Sequence, residues 1–522
     1  MSSEKVSGRP DGYYEDGLWL YADATSYAAG ETATFFVSSP VPEVDCRIAR
    51  LGAEEKTVHV QAGIRAGHHG VPTHAYRDGC GWPETFAVAI GEDWPSGYYR
   101  VQLTAGDLSA EHFLVVRSAN PGRDAKHVLV LATNTYQAYN GWGGRNLYGN
   151  DAAFVDSTDQ LVNRPTPTPV VAWDRPWSRC LVAAPVPTRP TSTSRRGMGG
   201  ALGFPDATPE LVAAGGSVWD LPAGFVHKWE HRFVAWAERA GVALDYLAQC
   251  DLDRAPNSLD PYPSYLSVGH DEYWTWEERD AVEAFVDAGG QASFLSGNTS
   301  FWQVRYERDG RAMVGYKFLA PSDDPVLGSE RERRVTSIWS DPLIGRPESE
   351  MTGVTFCSAG YARVGYAGSR SAGGYTIYRP DHWSLEGTDL FYGDVVGDEA
   401  TLVGYETDGC AFRFEAGLPV PTGEDGAPVT FEIVGLAPAS LGEPDPTPSA
   451  GLLGQADAEF VAGRVFGGDV ARAMRGHATM GSFRRGRGEV FAAGTTEWAW
   501  GLEDPFIDRI TRNVLARGER AR

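Results

Sequence analysis

The chain has 522 residues, 42% of them hydrophobic and 11% aromatic, enough to build the cores of two or three globular domains. Its formal net charge of −23 at pH 7 repels phosphate backbones and anionic membrane surfaces, which excludes nucleic acid and membranes as natural partners. No window approaches eighteen apolar residues and the first residues contain no apolar signal core, so a cytoplasmic location is expected.

Residues 1–117 read as a β-sandwich. Short runs such as "TATFFVSS", "ETFAVAIG" and "YYRVQLTA", separated by turn signals, predict antiparallel strands of immunoglobulin-like type. "SANPGRDAK", residues 118–126, reads as a linker. From 127 to 522 strands and helices alternate. "HVLVLAT" predicts a buried parallel strand, "FVHKWEHRFVAWAERAG" an amphipathic helix and "VALDYLA" the next strand. "SYLSVGH", "TWEERDAVEAFVDAGG" and "QASFLSG" then form a βαβ unit, and "EVFAAGTT" followed by "DPFIDRITRNVLARGE" closes the domain. The expected class is α/β, a doubly wound and mostly parallel sheet with β insertions. Residues 177–222, rich in Pro, Thr, Ser and Gly, predict a long surface loop, and residues 318–455 an inserted β-rich subdomain.

The six cysteines lie scattered without a C-x-x-C pair, which predicts buried free thiols. The five lysines (Lys5, Lys56, Lys126, Lys228 and Lys317) suggest no recognition surface.

Chemistry is expected at the carboxyl ends of the strands, where open α/β sheets bind ligands. "VGHDEYW", residues 268–274, puts His270, Asp271, Glu272 and Tyr273 at such an end. "NTYQAYNGWGGRNLYGN", residues 134–150, follows the first strand as a Gly-bearing loop carrying Tyr136, Tyr139 and Tyr148. Phenolate and carboxylate oxygens are hard anionic donors and suit a hard cation such as ferric iron. By residue type alone, any one of these tyrosines is more readily read as an aromatic packed beneath a loop with its hydroxyl bonded.

Six blocks, "NTYQAYNGWGGRNLYG", "WDRP" (173–176), "LSVGHDEYW", "FLSGNTSFWQVRYE", "GYETD" and "AGTTEWAWGLEDP", together resemble the catalytic domain of the N,N-dimethylformamidase large-subunit family, from about residue 127 onward. The resemblance implies a class I glutamine-amidotransferase-type α/β fold and hydrolysis of a small amide by a mononuclear Fe(III). It also implies Tyr139, Tyr148 and Glu272 as metal ligands, with Tyr136 as the alternative first ligand. His270 is implied as a proton carrier, Asn298 as the residue orienting substrate or water, and Glu406 as general base. The family works with a small partner subunit, and a homo-oligomer is also compatible with the sequence.

Each of these residues has a plainer reading. His270 can cap a strand end, and Asp271 can serve a helix N-terminus. Asn298 can occupy a left-handed turn after Gly297, and Glu406 can pair with Arg413 on a strand face. Glu497, at another strand end, is an outside candidate for the same crevice. An acyl-enzyme is disfavoured, because "FLSGNTS" holds no cysteine and Ser296 lacks a G-x-S-x-G setting. Two other functions remain open. One is glycoside hydrolysis by Glu272 with Glu406 or Glu497, which would survive metal removal; the other is a non-catalytic ligand-binding scaffold, which would hold no metal.

Overall fold

The computed structural model describes residues 13–150, 168–187, 189–191, 216, 220–364, 369, 371–442 and 455–521. Most of the predicted 177–222 loop lies outside the described residues.

The N-terminal part is built from two sheets. Trp19–Ala22, Thr32–Ser38 and Phe86–Ala89 form one, and Ser26–Tyr27, Leu108–Val116, Gly97–Ala105, Glu43–Leu51 and Glu55–Arg65 form the other. Alternate residues point inward, so Leu20, Phe35 and Val37 meet Ile48, Val101, Leu103 and Leu114 in one core. Part of the outer face of the second sheet is apolar too. Tyr98 stacks on Phe225 with ring centroids 4.0 Å apart, and Phe113 packs on Trp177 and Tyr136, so this face merges with the core of the α/β part. Arg117 and Ser26 both bond the buried Asp251 across the same junction.

The main sheet holds nine strands: β1 (His127–Leu131), β2 (Leu244–Ala248), β3 (Ser264–His270), β4 (Gln291–Gly297), β5 (Tyr375–Ile377), β6 (Val395–Val396), β8 (Glu432–Ala439), β9 (Gly476–Arg485) and β10 (Gly488–Ala492). A separate strand, β7 (Tyr405–Gly409), pairs with Thr355–Ala362. The order across the main sheet is β2-β1-β3-β4-β10-β9-β8-β5-β6. The first five strands are parallel and the remaining pairings are antiparallel. The sheet is therefore mixed, not mostly parallel as expected. The reason lies in residues 318–455, which supply β5, β6 and β8 to this same sheet; their short runs between turns encode hairpin-like pairings rather than crossovers.

Helices cover both faces of the parallel half. Alternation along β1 sends Leu129 and Leu131 toward Phe233 of α2 (Trp229–Arg239) and Val514 of α5 (Pro505–Glu519), and Val128 and Val130 toward Val282 and Phe285 of α3 (Trp276–Asp287). Both faces are buried, which explains why "HVLVL" is apolar throughout. α3 starts at Thr275, whose hydroxyl accepts from Glu278 N while Glu278 reaches back to Thr275 N. At the helix Pro505–Glu519, Asp504 is the cap and Pro505 occupies the first position. All six cysteines are free and buried, also as expected.

After β1 the chain passes to β2 on one side and then to β3 on the other. The carboxyl ends of β1 and β3 thus flank a topological switch point, the place where open α/β sheets form a crevice. Gly297, at the end of β4, lets two other segments approach it. A Cβ at this position would lie 2.4 Å from Thr496 N and 2.6 Å from Glu406 O. Gly297→Ala is accordingly expected to destabilise the protein by about 1–3 kcal/mol, seen by scanning calorimetry as a lower unfolding midpoint. An unchanged midpoint would contradict the close approach.

Candidate functional site

The segment after β1 is not all loop: Thr133–Tyr139 forms a short helix, α1. The chain then turns back through Gly143 (φ 81°) and Gly144 (φ 91°) into a narrow hairpin, Arg145–Asn146 with Gly149–Asn150, which returns Tyr148 to the side of Tyr139. Buried polar side chains hold the turn. Arg175 of "WDRP" donates to the carbonyls of Trp142 (2.6 Å) and Arg145 (3.0 Å). Asn140 Oδ1 accepts from the backbone N–H of Trp142 and of Ser178, and Asn146 Oδ1 accepts from Tyr148 N. The asparagines of this stretch therefore satisfy buried backbone groups, which would otherwise be costly to bury.

Tyr139 and Tyr148 meet Glu272, which sits just past the end of β3. Tyr148 Oη donates to Glu272 Oε1 (3.0 Å), Tyr139 Oη lies 3.1 Å from Glu272 Oε2, and the two hydroxyls are 2.8 Å apart. Beside them, His270 Nε2 lies 3.3 Å from Glu272 Oε2 and 2.7 Å from Glu406 Oε2. Asn298 Nδ2 donates to Glu406 Oε2 (3.0 Å) from a residue with φ 49°, so Asn298 combines the left-handed turn with a bond into the site. Tyr139, Glu272, His270, Asn298 and Glu406 are all buried, while Tyr148 is part-buried.

The remaining candidates are placed elsewhere. Tyr136 donates to Glu230 and packs on Phe113, away from Glu272. Glu497 accepts from Trp229 Nε1 (2.8 Å) and Arg189 Nε (2.6 Å). Asp271 does not serve the helix end, whose cap is Thr275; it accepts from Ser267, Trp274 and Gln249 beneath the site. Arg413, offered as the alternative partner of Glu406, pairs with Glu415 instead. Ser296 bonds Ser267 and Thr299.

Two further residues join the cluster. Lys317 Nζ donates to Tyr273 Oη (2.7 Å), which donates to Tyr148 Oη (2.8 Å), and the ammonium sits 3.0 Å from the centroid of the Tyr148 ring. Tyr273 was visible in "HDEYW" without an evident role. Lys317 was one of only five lysines in an arginine-rich chain, the one signal that marked it.

Electrostatically the two glutamates diverge. Burial pushes Glu272 upward, but His270, Lys317 and the Tyr148 hydroxyl outweigh it and hold Glu272 below the usual glutamate range. Burial and the charge of Glu272 outweigh His270 and Asn298 at Glu406, which stays above that range. Burial alone would depress His270, yet the two carboxylates hold it well above its ordinary 6.5. The two carboxylates, bridged by an imidazole, thus differ in proton affinity, with Glu406 taking up a proton more readily than Glu272. Burial, then Glu272, raises both Tyr139 and Tyr148 well above 10. Only a strong Lewis acid would draw off their protons near neutral pH.

Among the described residues no group of three His, Cys, Asp or Glu side chains is arranged to hold a metal ion. The oxygen set of two phenols and one carboxylate is a different type of donor site. Its oxygens converge to within 2.8–3.2 Å of one another, and all are hard donors. The donors therefore fit a small, hard, highly charged cation.

Glu230 supplies a test of the electrostatics under this site. It is fully buried and accepts from Ala132 N and Tyr136 Oη. Burial raises its pKa from 4.5 to about 8. Between those values the folded state keeps a proton that the unfolded chain has lost, so stability falls as pH rises, by up to about 1.4 kcal/mol per pH unit, and levels off above the higher value. Glu230→Gln is expected to remove this share of the slope in denaturation midpoints measured across that window. A slope unaltered by the substitution would contradict the burial.

Comparison with known proteins adds the following. The family model described as N,N-dimethylformamidase beta subunit-like, C-terminal, matches residues 46–512. A relative from Paracoccus aminophilus, named N,N-dimethylformamidase beta subunit, is 23% identical over 477 residues, covering 84% of this chain and 54% of its own length. Another of the same name, from an Alcaligenes species, is 25% identical over 328 residues, covering 58% of this chain and 37% of its own. The chain thus spans about half or less of the length of these relatives.

Proposed function

The chain belongs to the N,N-dimethylformamidase beta subunit-like C-terminal family, and from that premise we propose that it is a hydrolase of small amides with one Fe(III) held by Tyr139, Tyr148 and Glu272. The observation that carries this reading is the convergence of these oxygens to within 2.8–3.2 Å beside the His270–Glu406 pair. With both phenols deprotonated, the three ligands neutralise the ion's charge. A ferric ion there supplies Lewis acidity toward an amide carbonyl and makes a water more acidic.

The protein's own groups handle the protons. Glu406 accepts one from the attacking water, and its raised affinity for a proton suits that role near neutral pH. His270, in contact with Glu406, passes a proton to the departing amine nitrogen, so that amide and water leave as acid and amine. Asn298, held on Glu406 through one N–H, has a second N–H for the oxygen on which negative charge develops.

The finer structural readings rest on the same premise. The order β2-β1-β3-β4 with helices on both faces supports a class I glutamine-amidotransferase-type core, and the two packed N-terminal sheets support an immunoglobulin-like module. The relatives are named as subunits, and we read this chain too as working in an assembly, with itself or with a small partner. No helix among the described residues is long and apolar enough to cross a membrane, which accords with a cytoplasmic enzyme.

Purified protein is expected to hold about one iron per chain by elemental analysis, with a phenolate-to-iron absorption band weakened in Tyr139→Phe or Tyr148→Phe. Glu272→Gln is expected to lose both iron and turnover. Glu406→Gln is expected to keep iron and lose about 10²–10⁴-fold in kcat. Iron-free protein with full amide-hydrolysing activity would overturn the assignment.

A further inference from the structure

His270 can meet both carboxylates only if its other ring nitrogen is held, and the holder is a backbone carbonyl. His270 Nδ1 lies 2.7 Å from Pro222 O. A carbonyl can only accept, so Nδ1 carries the proton and Nε2 faces Glu272 and Glu406. Pro222 lies in a turn outside the main sheet. The turn is buried through Leu221 and Ala223, and Lys228 ties its ends together: its Nζ donates to Asp220 O and Ala223 O, on either side of Pro222.

The lysine is itself buried. It is 1% exposed and stands immediately before α2, and Trp229 next to it packs across His270 with ring centroids 6.1 Å apart. Gly269 makes that packing possible, since a Cβ there would lie 2.5 Å from Trp229 Cβ. A buried ammonium with carbonyl partners makes an effective clamp, because it spans two peptide groups at once and satisfies acceptors that would otherwise be buried unpaired. Burial pulls its pKa down to about 8, with Asp220, Cys180 and Glu230 acting the other way, so it remains mostly charged at neutral pH.

We infer that Lys228 is a positioning residue for the proposed reaction: by clamping the Asp220–Ala223 turn it presents the Pro222 carbonyl to His270 Nδ1–H and so aims Nε2 at Glu406. The inference rests on the reading of His270 as the proton carrier, and its test has a readout that does not need turnover.

In full-length protein labelled with ¹⁵N-histidine and prepared without metal, the His270 resonances are identified by their loss in His270→Gln. The wild type is expected to show a protonated, slowly exchanging Nδ1, and Lys228→Met to lose that protection. In iron-loaded protein, Lys228→Met is expected to lower kcat about 10–100-fold, with iron content unchanged and KM within about threefold. An unprotonated Nδ1 at His270 in the wild type overturns the inference whether or not the variant folds. A Lys228→Met protein with wild-type Nδ1–H protection and wild-type kcat overturns it as well. Absence of amide hydrolysis in the wild type, with the Nδ1–H signals as expected, would count against the proposed function and leave the clamp standing.

Discussion

The site depends on one constraint: an imidazole wedged between two buried carboxylates. Bringing Glu272 and Glu406 together in a water-poor interior is strongly unfavourable unless a cation separates them, and His270 is that cation. Its presence keeps Glu272 ionised and draws Glu406 toward the ionised form too, though burial and the charge of Glu272 still leave Glu406 the more proton-retentive of the two. Lys317 works from the opposite side, through Tyr273 and Tyr148, and adds a second positive charge to the same balance. Removing either cation would leave a buried negative charge uncompensated, a larger penalty than the loss of one contact.

Much of the surrounding polarity has no chemical part. Asn140 and Asn146, along with Arg175, bond backbone groups of the turn between Tyr139 and Tyr148, and Asn134 bonds the Tyr273 carbonyl. Asp271, Ser267, Ser296 and Thr299 form a network under the strand ends. Such networks rigidify when every member is bonded, and rigidity is what brings two phenols to within hydrogen-bond distance of one carboxylate. The N-terminal sandwich contributes in the same way. Phe113 backs Tyr136, and Trp142, from the same turn, packs among Tyr14, Trp19 and Trp82. Residues of both sheets of the sandwich therefore support the segment that carries the tyrosines.

The parallel half of the sheet was legible because its strands are apolar on both faces and its helices carry clear caps, as in "TWEE" and "DPFI". The antiparallel half was not. Tyr375–Ile377 and Val395–Val396 are so short that they carry no alternation, and nothing local says which sheet they join. The polar stretch at the end of β3 was likewise legible as a place for chemistry. The division of labour within it was not, since Asp271 and Glu272 are adjacent carboxylates of similar reach. They differ only in what the fold puts opposite them, hydroxyl and amide donors for one and two phenols with an imidazole for the other.

By itself the sequence determined the α/β alternation, the strand-end position of "GHDEYW", the clustering of tyrosines after the first strand and the family motifs. These are local in the chain, and local patterning records them. Only the tertiary structure decided that Tyr139 and not Tyr136 faces Glu272, that Glu406 arrives beside His270 from a separate strand, and that two of five lysines are buried in and behind the site. Those outcomes are contacts between residues far apart in the chain, settled by which groups must share a buried space and find a partner there, and no short stretch of sequence carries that information.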